Sequence, residues 1–223
     1  MIAMKPWQMI AVGAAVVAVL VYFYVNHGFG PLSSKSKDAH SPASASSRTS
    51  GRPAHITWET VNRPDDGFKV DMPSDATDEQ VPAYNETGTT EPVKLIVSHP
   101  DSDTTFAISW EDNPPVARVN DRDSNKTLDM ARDGMLMRTQ TTMVSENRIT
   151  VASHPGRDIL AHNTGGGVLS ARLIYTGDRL YTLIAVFPSS GARGEDDVKR
   201  FFGSFAPSQV PGTALPEAPA NSP

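Results

Sequence analysis

The densest run of chemically capable side chains in the chain is "HPGRDILAHNTGGG", His154 to Gly167. It holds two histidines, an arginine, an aspartate and three successive glycines, so it raises metal, phosphate and nucleophile chemistry together. His154, Asp158 and His162 are spaced by four, which puts all three on one face of a strand. Four strand residues span about 13 Å and eight about 26 Å, whereas one ion needs its ligands within about 2 Å. A helix would align them, but Pro155, Gly156 and the glycine run oppose a helix. A phosphate cradle needs a helix N-terminus or a lysine after the glycines. Gly165, Gly166 and Gly167 lead instead into "VLSARLIY", a strand pattern, so the glycines read as a hairpin turn. Ser153 beside His154 is adjacency in sequence only, and no G-x-S-x-G elbow occurs. The stretch is therefore expected to be a turn at Pro155–Gly156, a strand through Ile159 and a glycine hairpin into Val168. Arg157 and Asp158, as neighbours on that strand, point to opposite faces. Whichever lies inward requires a partner.

Other site-like groups yield to local structure in the same way. "DRDSN" (Asp121–Asn125) begins like a calcium loop, but its sixth position is Lys126 and its twelfth Arg132, where glycine and glutamate are needed. It works instead as a helix start. The acid pairs Asp65–Asp66 and Asp196–Asp197 fall in a turn and at a helix N-terminus. No cysteine occurs, which removes disulfides, thiolate nucleophiles, Cys-ligated zinc, iron–sulfur clusters and a lipoprotein anchor. No residue set reads as catalytic, cofactor-binding or metal-binding from spacing alone, and no cofactor is implied. An enzyme would need a site assembled from distant residues such as His99, His154 and Asp158, as in a hydrolase or a metal-dependent enzyme. A small-ligand binding domain would need an apolar cavity between sheet and helix.

The elements that position these residues divide the 223-residue chain into four parts. "WQMIAVGAAVVAVLVYFYV" (Trp7–Val25) carries no charge, and its 19 residues span about 28 Å as a helix, close to a hydrocarbon core of about 30 Å. Trp7 at one end and Tyr22 and Tyr24 at the other suit the membrane interface. The bulky "VYFYVNHGFG" offers no signal-peptidase site. Residues 1–26 are thus expected to form an uncleaved transmembrane signal-anchor, inserting in the membrane through residues 7–25 and leaving the downstream domain outside the cytoplasm. Residues 27–55 are rich in Ser, Ala, Pro and Gly, without apolar periodicity, and are expected to be a flexible linker reaching about 30 Å. Residues 208–223 form a Pro-rich disordered tail by the same reasoning.

Residues 56–207 are expected to be one globular domain, with 15 Lys/Arg against 23 Asp/Glu. That acidity argues against a nucleic-acid partner. Expected strands are Ile56–Val61, Phe68–Pro73, Val93–Ser98, Thr105–Trp110, Arg148–Ala152, Gly156–His162, Val168–Thr176 and Arg179–Pro188. In the last, Tyr181, Leu183, Ala185 and Phe187 share one face and Leu180, Ile184 and Val186 the other. Both faces are apolar, so the strand is central and covered on both sides. A helix through Leu128, Ala131, Met135 and Leu136 succeeds the Asn120–Asn125 cap chemistry, with Met130, Met135 and Met137 as core filling. A second helix, Gly194–Phe202, would pack Val198, Phe201 and Phe202 on the sheet. The fold class is α+β: an antiparallel sheet with helices packed on it, an α/β/α sandwich.

Four short signatures recur in order: Gly67–Pro73, Pro155–Asp158, Gly177–Tyr181 and Phe201–Phe205. Together they resemble bacterial membrane-anchored or exported PsbP-like α/β/α domains, relatives in fold of an extrinsic photosystem II subunit, over residues 58–205. The resemblance implies a non-enzymatic binding or assembly role. The anchor, the tether and the lack of a convergent catalytic set point to another envelope protein as the expected partner. It supplies no catalytic residues.

Overall fold

The computed structural model describes residues 56–84, 90–112, 123–164, 166–188 and 193–208. The expected anchor (1–26), linker (27–55) and tail beyond 208 lie outside the described residues, as does Gly165. Among the described residues, no helix is long and apolar enough to cross a membrane.

The chain runs β1 (Trp58–Arg63), β2 (Phe68–Pro73), β3 (Thr77–Tyr84), β4 (Thr90–Ser98), β5 (Thr105–Asp112), α1 (Ser124–Thr139), β6 (Thr141–Val151), β7 (His154–Asn163), β8 (Gly167–Tyr175), β9 (Arg179–Pro188), α2 (Arg193–Ser204) and β10 (Ala206–Pro207). Seven strands form one antiparallel sheet in the order β3-β4-β5-β9-β8-β7-β6, and β1-β2-β10 form a second, smaller one.

β9 explains the layering. Leu180 and Ile184 bury into one core with Leu128, Ala131 and Met135 of α1, and Val186 packs against it. Tyr181, Leu183 and Ala185 bury into the other with Phe68, Val70 and Met72 of β2 and Phe201 and Phe202 of α2, and Phe187 packs against it. The two faces divide by residue parity, as strand geometry requires. One cover is a helix; the other is α2 together with the small sheet. Aromatic rings fill the second core edge to face. Phe106 lies 5.4 Å from both Trp58 and Phe201, and Phe68 lies 5.1 Å from Trp110 and 5.9 Å from Tyr181.

The helices start and stop for local reasons. Asp123 caps α1 by accepting from the Asn125 backbone N–H at 2.9 Å, and Gln140, in the left-handed region, ends it by donating to the Leu136 carbonyl. Met135 is fully buried, but Met137 is 61% exposed. Two residues turn a helix by about 200°, so the two methionines cannot share a face. Met137 as core filling is corrected on that ground.

Two further expectations shift. The turn before β7 is not at Pro155–Gly156. It is a two-residue hairpin turn at Ala152 and Ser153, whose φ values of 47° and 72° are both positive. Pro155 and Gly156 already pair within the sheet, opposite Thr150 and Ile149. β6 also begins at Thr141 rather than Arg148, and β3 had no counterpart among the expected strands. Both are sheet edges, where burial does not impose an apolar pattern.

Tyr181 ties the small sheet to the large one. Its hydroxyl donates to the Gly67 carbonyl (2.9 Å), with the Asp66 carbonyl also within reach at 3.1 Å, in the "PDDG" turn between β1 and β2. Burial pushes the phenol up from its ordinary value of 10.0, opposed by the neighbouring Arg179. A raised folded-state value means this stability is present below about pH 10 and declines as pH rises through the raised value. Tyr181→Phe is expected to lose about 1 kcal/mol in urea unfolding at pH 7, with the difference from wild type narrowing above pH 10.

Candidate functional site

The β6–β7–β8 end of the sheet collects the residues that stood out in the sequence. On β7 it places Arg157 under α1 and Asp158 under α2, on opposite faces.

Arg157 is 2% exposed. Its Nη2 donates to Asn125 Oδ1 at 2.8 Å and lies 3.5 Å from Asp129 Oδ1; Nη1 reaches the Gly156 carbonyl at 3.3 Å. Its Nε stands 2.8 Å from Glu146 Oε1, close enough for charge pairing although the N–H is not aimed for a hydrogen bond. Glu146 is shared: Arg132 of α1 donates to its second oxygen at 2.7 Å, and also reaches Asp129 at 3.2 Å and Asp133 at 2.8 Å. The hydrogen bond to Asp133, with that to Glu146, holds the Arg132 guanidinium firmly protonated against the opposing effect of burial. Two guanidinium groups and three carboxylates thus fasten α1 to β6 and β7. A planar fork with several fixed donors suits such a site where a lysine would not.

Asp158 and Arg172 of β8 face each other in register and pair through two bonds of 2.7 Å. Arg172 also donates to the Phe202 carbonyl at 2.8 Å, satisfying a carbonyl in the last turn of α2, and stacks 5.0 Å over the Phe202 ring. Around this pair lies an open recess of about 300 Å³, lined in part by Ser145, Asn147, Ser170 and Lys199. Its lining combines apolar side chains such as Leu160, Val198 and Phe202 with hydroxyls, an amide, Lys199 and the ion pair, and it holds no histidine to activate a nucleophile.

Gly156 is structural, but through packing. A Cβ there would stand 2.5 Å from the Leu173 carbonyl oxygen and 3.1 Å from the Ile149 side chain opposite. Gly166 has φ of 84°, its N–H donating to the Asn163 carbonyl at 3.1 Å, while Gly167 opens β8 with its N–H bonded to Asn163 Oδ1 at 2.7 Å. These two glycines shape the hairpin between β7 and β8.

The histidines are dispersed. His154 opens β7 and His162 is exposed near its far end. His99 comes just after β4, its Nδ1 3.0 Å from Thr105 Oγ1. Four strand spacings, about 19 Å, separate β4 from β7, so His99 does not meet His154 or Asp158. Among the described residues no group of three His, Cys, Asp or Glu could hold a metal ion.

The outer strand of this end is β6. Among the described residues no strand pairs with its far side. The register with β7 slips between Met143 and Ser145, leaving Val144 as a bulge. The exposed large hydrophobics among the described residues are Met137 (61%), Met143 (42%) and Val144 (57%), all at the corner where α1 turns into β6. Sequence reasoning missed this corner together with Glu146 and Arg172. The available signal was the uncharged, β-branched run "TTMVS" at residues 141–145.

No family model matches this chain, and no curated protein does. Solved structures do. The domain shares the fold of cyanobacterial PsbP (CyanoP) from Synechocystis, with a TM-score of 0.51 at 10% identity over 70% of this chain and 96% of that one. A structure from Bacteroides thetaiotaomicron matches at TM-score 0.42 and 12% identity, over 70% of this chain and 50% of that one. A Pseudomonas aeruginosa protein of unknown function, PA94, matches at TM-score 0.34 and 13% identity, over 74% and 99%. The PsbP likeness establishes the fold.

Two substitutions check this geometry by urea unfolding. Glu146→Gln is expected to destabilise more than Asp129→Asn, by about 2 kcal/mol against less than about 1, because Glu146 is the closer and more buried partner of Arg157. Gly156→Ala is expected to cost about 2 kcal/mol, since the Leu173 backbone cannot yield as a side-chain tip would.

Proposed function

We propose that this chain is a single-pass membrane protein, anchored through residues 7–25, that presents a non-catalytic binding or assembly domain to an envelope protein on the outer side of the membrane, with residues 27–55 as tether. The observation that carries the reading is the exposure of Met137, Met143 and Val144 beside a sheet edge with which no strand pairs among the described residues. Exposed methionine is adaptable apolar surface of the kind used at contact sites. The ionised groups beside it, Arg157, Glu146, Asp158 and Arg172, are engaged with one another and with α1 and α2. They brace the surface. The recess beside α2 is open, so it does not enclose a ligand as a buried cavity would. The uncharged Trp7–Val25 run supports the anchor, and the PsbP fold is compatible with a role that needs no catalytic residues.

The absence of cysteine makes the test clean. A single cysteine at position 144 carrying a photo-crosslinker is expected to give a discrete adduct in native membranes, and one at exposed position 101 to give none. Equal yield from both positions, or none from 144, sinks the docking reading. The same position-101 cysteine should react in intact cells with a maleimide that cannot cross the membrane. Labelling only after lysis places the domain on the wrong side.

A further inference from the structure

The domain's charge is strongly lopsided. Residues 56–112, which supply β1 to β5, carry 3 Lys/Arg against 13 Asp/Glu, whereas residues 134–176, which include β6, β7 and β8, carry 4 arginines against 2 acids. The two edges of the large sheet differ to match. β3 carries Asp78, Glu79 and Pro82, charges and a proline of the kind that block pairing with another strand. β6 carries Glu146 and Arg148 but no proline, so every residue keeps its backbone N–H, and after the bulge at Val144 it runs seven further residues, Ser145 to Val151. Alternate residues of an edge strand turn their N–H and C=O groups away from the sheet.

We propose that Ser145–Val151 accepts an extended segment of a partner protein as an eighth strand, and that this segment is aliphatic and acidic. The inference rests on the docking reading above and specifies its occupant. The bulge ends the pairing at Val144, as bulges do, and there Met143, Val144 and Met137 offer an apolar end point. Arg148 sets the charge preference. It is exposed, and it sits in register with Arg157, so like charges face each other across the two strands. Glu146 and Asp129 accompany Arg157. A partner carboxylate would meet Arg148 itself, which lies outside the ion-paired cluster of Arg132, Arg157, Glu146, Asp129 and Asp133. Main-chain bonds supply affinity in such strand addition, and side chains at alternate positions supply specificity.

The test uses the full chain in detergent micelles and a fluorescein-labelled ten-residue peptide of alternating valine and glutamate. Saturable binding is expected, with slowed amide exchange confined to residues 145–151. Methylating alternate backbone nitrogens of the peptide, Val144→Lys, or Arg148→Glu should each weaken binding roughly tenfold, and Arg148→Glu should turn the preference toward a valine–lysine peptide. Both substituted side chains are exposed, so folding is retained, checked by unchanged circular dichroism. Absence of binding, equal binding of the methylated peptide, or protection elsewhere overturns the proposal. So does concentration-dependent protection of 145–151 without peptide, which assigns the edge to a second copy of this chain. If crosslinking from position 144 persists while strand protection fails, docking stands and strand addition falls. If crosslinking fails too, both fall.

Discussion

A strand that is apolar on both faces cannot be left with either face in water, and the rest of this domain is arranged to meet that demand at β9. Seven of its ten residues, Arg179 to Ala185, are buried. Their alternation sends one set toward α1 and the other toward β2 and α2. The hydrophobic term dictates only that both faces be covered; it does not say by what. Local chemistry decides that. The Asp123 cap and the Leu128–Ala131–Met135 spacing make the cover on one side a helix. On the other, aromatic residues from β2, α2 and Phe205 build a cover in which a small sheet and a helix cooperate.

The covers thin toward the β6 end, and there ionic contacts take over. α1 is fastened to β6 and β7 through Arg157, Arg132, Glu146 and Asp129, and α2 to β7 and β8 through Asp158, Arg172 and the Phe202 carbonyl. Burying a guanidinium is costly, and one whose partners are fixed on three elements is compensated only when those elements are in place. These contacts define where α1 sits along the sheet, which apolar packing alone leaves free to slide. A surface required to meet a partner in one geometry benefits from that fixity.

The legible parts of the fold were those where burial imposes a pattern. Both faces of β9 and the full span of β2 read directly from alternation, and the buried stripe of α1 from helical spacing. The opposite projection of Arg157 and Asp158 came from strand parity. Their partners did not, because Asn125, Glu146 and Arg172 lie 32, 11 and 14 residues away from them and only register brings them near. Edges were the blind spot. Thr77, Asp78 and Gln80 of β3 and most of the first half of β6 are exposed, on strands that have a neighbour on one side only among the described residues, so no apolar alternation marks them. Ala152–Ser153 carries none of the Asn-Gly or Asp-Gly chemistry that announces a two-residue turn, and Pro155–Gly156 drew attention instead. Gly156 is required there by the Leu173 carbonyl and Ile149, a constraint across strands that a linear pattern does not record.

Sequence patterning failed mainly at edges and turns, the parts that burial leaves undetermined. A fold shared with a cyanobacterial protein at 10% identity preserves a way of covering a sheet and little else. What any one member binds must then reside in features the core does not determine, namely edges, corners and charge distribution. In this chain those three coincide. The acid is concentrated toward β1–β5, the edge at β3 is guarded, and the exposed methionines and valine lie at the opposite, less acidic edge. An edge open to strand addition is a hazard unless something limits it. The bulge at Val144 limits its length and Arg148 limits its occupant, so the same two features that keep β6 from indiscriminate pairing would also define the one segment it accepts.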